Sequence, residues 1–501
     1  MKSEFLTHAA GKPAQQPGGE SYAYYVALTD AILALSKRIR RDDPAQFLYD
    51  GLDLSHAFEA SAYFACVHDR GLQILHANPR NFPAALRLKS QIARLLAAET
   101  FAGGPAAGAA RWMRRLHHIA RGAKHVAQRR TEKSARPHAP AAMQAPIIFF
   151  ARSIRFARYF LPLAHTLRGE CAFLVPAWEG ALRRQVAEWD FPVLFYHAGG
   201  VPRGAMGRLI DDCGRHLASQ AQALDAALGG MQGRLVVVPE GNSPEDEILA
   251  RVAERRGIAS ACIQQGWSPI RHPGFCNLNY SEMLVWGDGF ADLLAAANPR
   301  QRFASTGNFH LAADMPASGT DILFLFQGFD DWLGGRAGAE AMLTLVERTA
   351  AALPEISVFV RPHPVAPFCA EVSNRLLRNP NVRIETPADV PLAQALAKVR
   401  VSVSAYSTTI LESIAAGVVP VIFNTVGLPH YWPDVAAANA GIEVRELEAA
   451  QAALVQLLRK QGALEAFREP MAAMASRFFS ARGSAARDAT VSALRRLAKG
   501  P

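Results

Sequence analysis

The chain has 501 residues, half of them apolar, and a formal net charge of +10. This length supports two or three domains with large cores, and no run reaches the roughly 18 uncharged apolar residues of a membrane helix. The six cysteines are scattered without a CxxC pair or a short repeated spacing, so they read as reduced, mostly buried small hydrophobes.

The opening residues, from Met1-Lys2-Ser3-Glu4 onward, are polar and contain Gly and Pro rather than a positive stretch and an apolar core, which predicts a cytoplasmic protein. From about residue 20 the periodicity is helical, in 24–37, 55–66 and 83–98, and predicts a helical accessory region over 1–130. The excess charge is concentrated here. Between Arg111 and Arg136 nine basic residues are opposed by Glu132 alone. That segment could attach peripherally to anionic lipid at the inner membrane or bind an acidic glycan, and it could equally be a solvated helix face running into a basic linker. Nucleic acid is not an expected partner, since the chain has no zinc-ligand spacing, RNP-like motif or basic–aromatic alternation. Residues 131–145, rich in Ala, Pro and charge, read as the linker.

An α/β region then begins at 146–150, and we place its first half at 146–315. Strands are predicted at 171–175, 192–196, 235–238, 260–263 and 283–286, with helices at 209–228 and 244–256 alternating with them, as a doubly wound sheet requires. A second α/β half, 316–480, opens with a strand at 322–326. Its helices are predicted at 337–352, 367–377, 391–397, 446–460 and 463–479, before a C-terminal helix within 481–501.

The most informative stretch is Val399 to Asn424. Its first residues have the β-branched character of a buried strand, and Ser407-Thr408-Thr409 follows where a helix would begin. Unpaired N–H groups and the positive end of the helix dipole, joined by hydroxyls, form an anion-binding cup. Gly417 ends the helix before a second buried strand. Arg361-Pro362-His363-Pro364 sits after another strand-like run, so it brings a guanidinium fork and an imidazole to a strand's carboxyl end, where open α/β sheets bind ligands. A capped βαβ unit with an ordinary His-Pro turn is the alternative.

RPHP, followed some forty residues later by S-T-T-x-x-E-x-x-x-x-G-x-x-P, resembles the donor half of GT-B glycosyltransferases that build bacterial capsule and lipopolysaccharide. The motif pair is similar to that of CMP-sugar-using sialyltransferases and β-Kdo transferases. The likeness is clear over 321–424, looser over 145–310 and absent from the first 140 residues. It implies two Rossmann-like domains facing across a cleft. It also implies His363 and Pro364 at the cytidine phosphate, with Ser407, Thr408 and Thr409 completing the pocket. Arg361, Ser404, Glu412 and the Gln327-Gly328 pair are assigned with them to the nucleotide sugar.

Catalysis needs a group that takes the acceptor's proton or attacks the anomeric carbon. Glu240 follows the strand at 235–238, and Asp330-Asp331 follows the one at 322–326. Each carboxylate could instead cap a turn or helix. The resemblance favours Asp330 as nucleophile, with Asp331 also possible; post-strand placement makes Glu240 the acceptor-side base, and His363 is taken as a further catalytic group. Gln264-Gln265-Gly266-Trp267 resembles the Gln-His-Gly turn of capsule glycosyltransferases, with Gln in place of His. Gln265 and His272 are assigned to the acceptor, although a surface turn is the plainer reading of the His, and Arg152, Ser153 and Arg155, just after the first strand, could hold an acidic acceptor or equally be an ordinary helix start with solvent-facing arginines. Asp330-Asp331 is not a DxD motif and no compact His/Asp/Glu set offers three ligands, so no metal or cofactor is expected beyond the donor. The expected activity is transfer of Kdo from CMP-β-Kdo, with retention, to a surface polysaccharide or glycolipid. A non-hydrolysing nucleotide-sugar epimerase and a non-catalytic glycan-binding scaffold are the alternatives.

Overall fold

The computed structural model describes residues 22–67, 145–177, 179–197, 211–267, 272–312, 319–329, 335–364, 366–425, 433–460 and 462–500. The helix expected at 83–98, the basic segment from Arg111 to Arg136, and Asp330 and Asp331 lie outside them.

Helices α1 (Tyr22–Asp42) and α2 (Ser55–Val67) form where helical periodicity was expected. Between them a small hairpin joins β1 (Leu48–Tyr49) to β2 (Leu52–Asp53). Its turn residues Asp50 and Gly51 both have positive φ, 48° and 76°, the backbone a two-residue hairpin requires. These elements do not stand apart as a separate body. Ile32, Leu35, Phe47 and Phe58 share one apolar core with Leu224, Val236, Ile248 and Val252 of the next region. The contact also carries charge: buried His56 lies 3.2 Å from Glu247 through Nδ1 and 2.9 Å from the Pro273 carbonyl through Nε2. Burial opposes the charged imidazole, yet Glu247 and Glu59 outweigh it and raise the His56 pKa to about 9.

The first half alternates β3 (Ile147–Phe150), α3 (Ile154–Thr166), β4 (Cys171–Pro176), α4 (Gly180–Ala187), β5 (Val193–Tyr196) and α5 (Asp211–Gly229). It continues through β6 (Leu235–Pro239), α6 (Pro244–Arg255), β7 (Ala259–Ile263), β8 (Glu282–Val285), α7 (Asp288–Ala295) and β9 (Phe303–Ser305). Residues 147–150, 171–176 and 235–239 are buried throughout, as expected of parallel strands covered on both faces. The strand order is β5-β4-β3-β6-β7-β8-β9. Strand order therefore reverses between β3 and β6, and a crevice opens beyond their carboxyl ends.

The second half comprises β10 (Asp321–Leu325), α8 (Gly335–Ala352), β11 (Val358–Arg361), α9 (Ala370–Leu376), β12 (Val382–Ile384) and α10 (Leu392–Ala397). Next come β13 (Val399–Ser404), α11 (Thr409–Ala415), β14 (Val419–Phe423), β15 (Ile442–Val444) and α12 (Leu447–Arg459). Its parallel order β12-β11-β10-β13-β14-β15 places a second reversal between β10 and β13. Gly417, at φ 78°, ends the chain's path through α11 and admits β14, as the sequence implied.

Helices α13 (Glu465–Phe478) and α14 (Gly483–Ala498) carry the chain back to the first half. Val491, Leu494 and Leu497 join the core of Phe149, Phe160 and Phe173. The crossing is tight where α13 ends over Gly287 and Gly289: a Cβ on Gly289 would stand 2.7 Å from the Phe478 ring. Trp286, Phe290 and Phe478 pack in the same core as Ile410 and Ile414 of α11, so the two halves are joined by apolar contact behind the cleft. No helix among the described residues is long and apolar enough to cross a membrane.

Candidate active site

Glu240 is the first residue beyond β6 and adopts φ 59°, with Gly241 following at φ 72°. A left-handed non-glycine residue is costly unless its surroundings hold it. Here Glu240 N donates to Ile263 O at 3.0 Å, and Tyr280 Oη donates to Gly241 O at 3.0 Å. Glycine is required at 241, because a Cβ there would lie 2.5 Å from Cys262 Sγ. Ser243, not Glu240, caps α6: Asp246 N donates to its Oγ at 3.2 Å, with Pro244 opening the helix. The capping alternative for Glu240 is thereby removed, and its carboxylate accepts a 3.4 Å bond from Arg155 Nη2. We expect Gly241→Ala to lower stability by about 1–3 kcal/mol in urea unfolding, from strain at positive φ together with the clash at Cys262.

Helix α3 begins at the other side of this crevice. Its cap residue Ser153 makes no side-chain capping bond. Arg155 is exposed and donates to Gln265 Oε1 at 2.9 Å as well as to Glu240, so it links two post-strand turns. Gln264, within the second turn, is buried; its Nε2 donates to Gly266 O at 3.3 Å and its Oε1 accepts from Trp286 N at 2.9 Å, which fixes the Gln-Gln-Gly path.

Gly266 is where the halves meet. An added Cβ would lie 3.8 Å from Thr408 Oγ1 and 3.9 Å from Glu240 Oε1, so the base candidate of one half and the hydroxyl turn of the other flank the same glycine. Trp267 N donates to Thr408 Oγ1 at 3.1 Å across the interface. In the turn itself, Ser407 Oγ accepts from Thr409 N at 3.2 Å and from Thr409 Oγ1 at 2.6 Å.

The donor-side candidates align at one edge. Arg361, Leu325 and Ser404 are level across β11, β10 and β13. Gln327-Gly328, His363-Pro364 and Ser407 to Thr409 all extend past that line, beside the β10/β13 reversal. Gly328 has φ 107°, which only glycine adopts readily. His363 is partly exposed, and its carbonyl accepts from Ala366 N at 2.9 Å in a tight loop. Glu412, one turn into α11, lines a cleft of about 270 Å³ with Arg155, Arg158, Gln265, Trp286 and His310. Burial pushes the Glu412 carboxyl up to about 7.

Three assignments change. Arg152 is turned inward, with Nε and Nη2 each 3.1 Å from a carboxylate oxygen of fully buried Asp246. This two-toothed pair removes it from the acceptor contacts and makes it a brace between α3 and α6. His272 is buried, its ring 5.0 Å from Tyr63 and 4.6 Å from Phe275, and its Nδ1 accepts from Gly274 N at 3.2 Å. Burial lowers its pKa to about 3, and it is a neutral core residue under α2 rather than an acceptor contact. Arg361 is also buried, donating through Nη1 to Val390 O at 2.6 Å, and so tethers the loop before α10. Ser404 lies on the same face as Leu325, buried, with its Oγ unpartnered.

Sequence reasoning did not single out Arg158, Trp286 or His310. His310 follows β9, a strand of three half-buried residues with no periodic signal, and its Nε2 lies 3.0 Å from Tyr159 O. Trp286 was placed inside a strand but sits just past β8, the post-strand position that marked Glu240. Among the described residues no group of three or more His, Cys, Asp or Glu is arranged to hold a metal.

No protein-family model matches the chain, and no curated protein does. Among solved structures it is similar to a candidate UDP-N-acetylglucosamine 2-epimerase from Listeria monocytogenes, at 11% identity over 72% of this chain and 98% of that one, with a TM-score of 0.50. It is also similar to MurG of Acinetobacter baumannii, at 12% identity over 70% and 99% of the two chains and a TM-score of 0.47. A third is the UDP-GlcNAc 2-epimerase of Neisseria meningitidis bound to UDP-GlcNAc, at 13% identity over 71% and 100% and a TM-score of 0.46. Identities this low speak to the fold alone. Two parallel sheets with facing switch points and a C-terminal helix returning to the first half give the chain the GT-B fold.

Proposed function

We propose that the protein is a nucleotide-sugar-dependent glycosyltransferase, with the donor gripped by the second half and the acceptor deprotonated by Glu240. The observation that carries this reading is that Glu240 Oε1 and Thr408 Oγ1, from the two halves, both come within 4 Å of the Cβ position at Gly266. An acceptor hydroxyl held by the first half and a sugar held by the second would come within reach of one carboxylate there. His363, Pro364, Ser407 and Thr409 supply the donor-side turn, Gln327-Gly328 allows close backbone approach, and Gln265 with Ser153 lies on the acceptor side. His363 serves as a fixed donor to the leaving phosphate rather than as a base. Glu412 accepts from a hydroxyl of the bound nucleotide sugar. The finer reading, a CMP-Kdo donor and a surface glycan acceptor, rests on the RPHP and Ser-Thr-Thr motif pair.

Calorimetry with CMP, UDP and GDP, followed by turnover of the matching sugar nucleotides with and without glycan acceptors, tests both levels. CMP is expected to bind tightest and CMP-Kdo to be consumed only with an acceptor. Preference for UDP overturns the donor assignment, and acceptor-independent conversion of a UDP-sugar makes the protein an epimerase. The ionised Glu412 carboxylate accepts from a hydroxyl more strongly than its protonated form, so nucleotide affinity is expected to rise with pH through about 7. Glu412→Gln should flatten that rise; an unchanged profile would exclude Glu412 from the nucleotide contacts.

A further inference from the structure

The first half's wall of the cleft carries more cation than transfer to a neutral sugar needs. Arg155 and Arg158 stand one helical turn apart on α3 and both line the cleft. Both are exposed, and the Arg155 guanidinium lies 5.6 Å from the Phe156 ring centroid. Arg155 donates to Glu240 at 3.4 Å and to the neutral amide of Gln265 at 2.9 Å. The hydrogen-bond partner of Arg158 is another neutral amide, Gln185 Oε1 at 3.1 Å. The first turn of α3 contains no acidic residue that would offset them. On the opposite wall, Glu412 sits where burial disfavours its charge. His310, which also lines the cleft, is likewise kept toward its neutral form by burial. The two guanidiniums therefore share the cleft with one carboxyl, Glu412, whose charge burial disfavours, while Glu240 is bonded to Arg155 and not to Arg158. A guanidinium held by neutral amides at a cleft mouth is a preformed site for a planar or tetrahedral oxyanion.

We infer that the acceptor carries an anionic group, a carboxylate or a phosphate, that Arg155 and Arg158 grip beside the reacting hydroxyl. The inference rests on the glycosyltransferase reading and names the substrate class of the same site. An anion drawing Arg155 toward itself also loosens the long bond from Arg155 to Glu240, leaving the carboxylate to take the hydroxyl proton. Acceptor binding and activation of the base are coupled in this way through one side chain.

The test uses the full chain and matched trisaccharides differing at one terminal substituent: neutral hydroxymethyl, carboxylate as in a glucuronate, or 6-phosphate. Calorimetry without turnover is expected to show the anionic forms binding about tenfold or more tighter than the neutral one. Arg158→Gln should collapse that preference and Arg158→Lys should keep part of it; the ratio of carboxylate to phosphate affinity distinguishes the two sources. With a working donor, Arg158→Gln should raise KM for the anionic acceptor more than it lowers kcat. Equal binding of neutral and anionic trisaccharides overturns the inference, as does a KM effect confined to the donor. Absence of turnover with every sugar nucleotide, alongside intact anion-dependent binding, would instead count against the transferase reading alone.

Discussion

Glu240→Gln is expected to reduce sugar transfer by about 10²–10⁴-fold while nucleotide binding by calorimetry stays unchanged. The substitution preserves volume, and the amide oxygen can still accept the 3.4 Å bond from Arg155, so the turn should keep its shape. What disappears is the basicity: an amide oxygen accepts a hydrogen bond but does not take up a proton near neutral pH. The backbone supports this separation of roles, because Glu240 is held in its left-handed conformation by main-chain bonds to Ile263 and, through Gly241, by Tyr280. The side chain's bond to Arg155 is long, at 3.4 Å, and the main-chain bonds carry the hold without it. Single-turnover measurement with a saturating donor isolates the step, and it should fall as far as kcat does. Transfer at the wild-type rate would exclude Glu240 as the base. A parallel loss of nucleotide affinity would mean that the change had distorted the second half's pocket through Gly266.

The parts of this site that were legible in sequence share one physical basis. Glu240, Gln265 and Ser407 each follow a buried strand, valine-rich in β6 and β13 and small-residue in β7, and position after a buried parallel strand carries information because such strands end at the binding edge. Strands β3, β4 and β6 were found for the same reason: full burial leaves an unbroken apolar signature; β13, interrupted by Arg400 and Ser402, was marked instead by its alternating valines. The edge strands β9, β12 and β15 escaped notice because each has three residues and is only partly buried, so nothing in their pattern rises above a loop. Pairings between distant residues were not legible at all. Arg152 and Asp246 are 94 positions apart, and local sequence around Arg152 shows only a helix start. His272 read as a surface turn because its cover, Tyr63 and Phe64 on α2, comes from more than 200 residues upstream. The left-handed geometry of Glu240 had no signal of its own, although the glycine after it hinted at a special turn.

Arg152→Met should prove the most damaging to stability, with an expected loss of about 3–5 kcal/mol near pH 8. Methionine keeps much of the apolar stem but removes both bonds to Asp246, whose side chain has no solvent exposure. Burial already raises the Asp246 carboxyl to about 7, against the pull of Arg152, and losing the guanidinium moves it higher. The sign of the pH dependence follows. A carboxyl whose folded pKa lies above its unfolded value of about 4 holds its proton more tightly when folded, so its contribution to stability falls as pH rises through that interval. Near pH 5 Asp246 carries a proton in wild type and variant alike, and the difference between them should shrink. Above pH 7 the wild type keeps an ion pair, whereas the variant must bury a lone charge or hold a proton against the solvent. Urea unfolding at pH 5 and pH 8 distinguishes this from simple loss of packing, which would cost the same at both. Asp246→Asn added to Arg152→Met should restore part of the stability at pH 8 and little at pH 5. A loss that ignores pH, or one that the second change fails to reduce, would mean the pair is not the brace between α3 and α6. Because those two helices leave from either side of the β3/β6 reversal, a real brace also sets how far apart Arg155 and Glu240 stand.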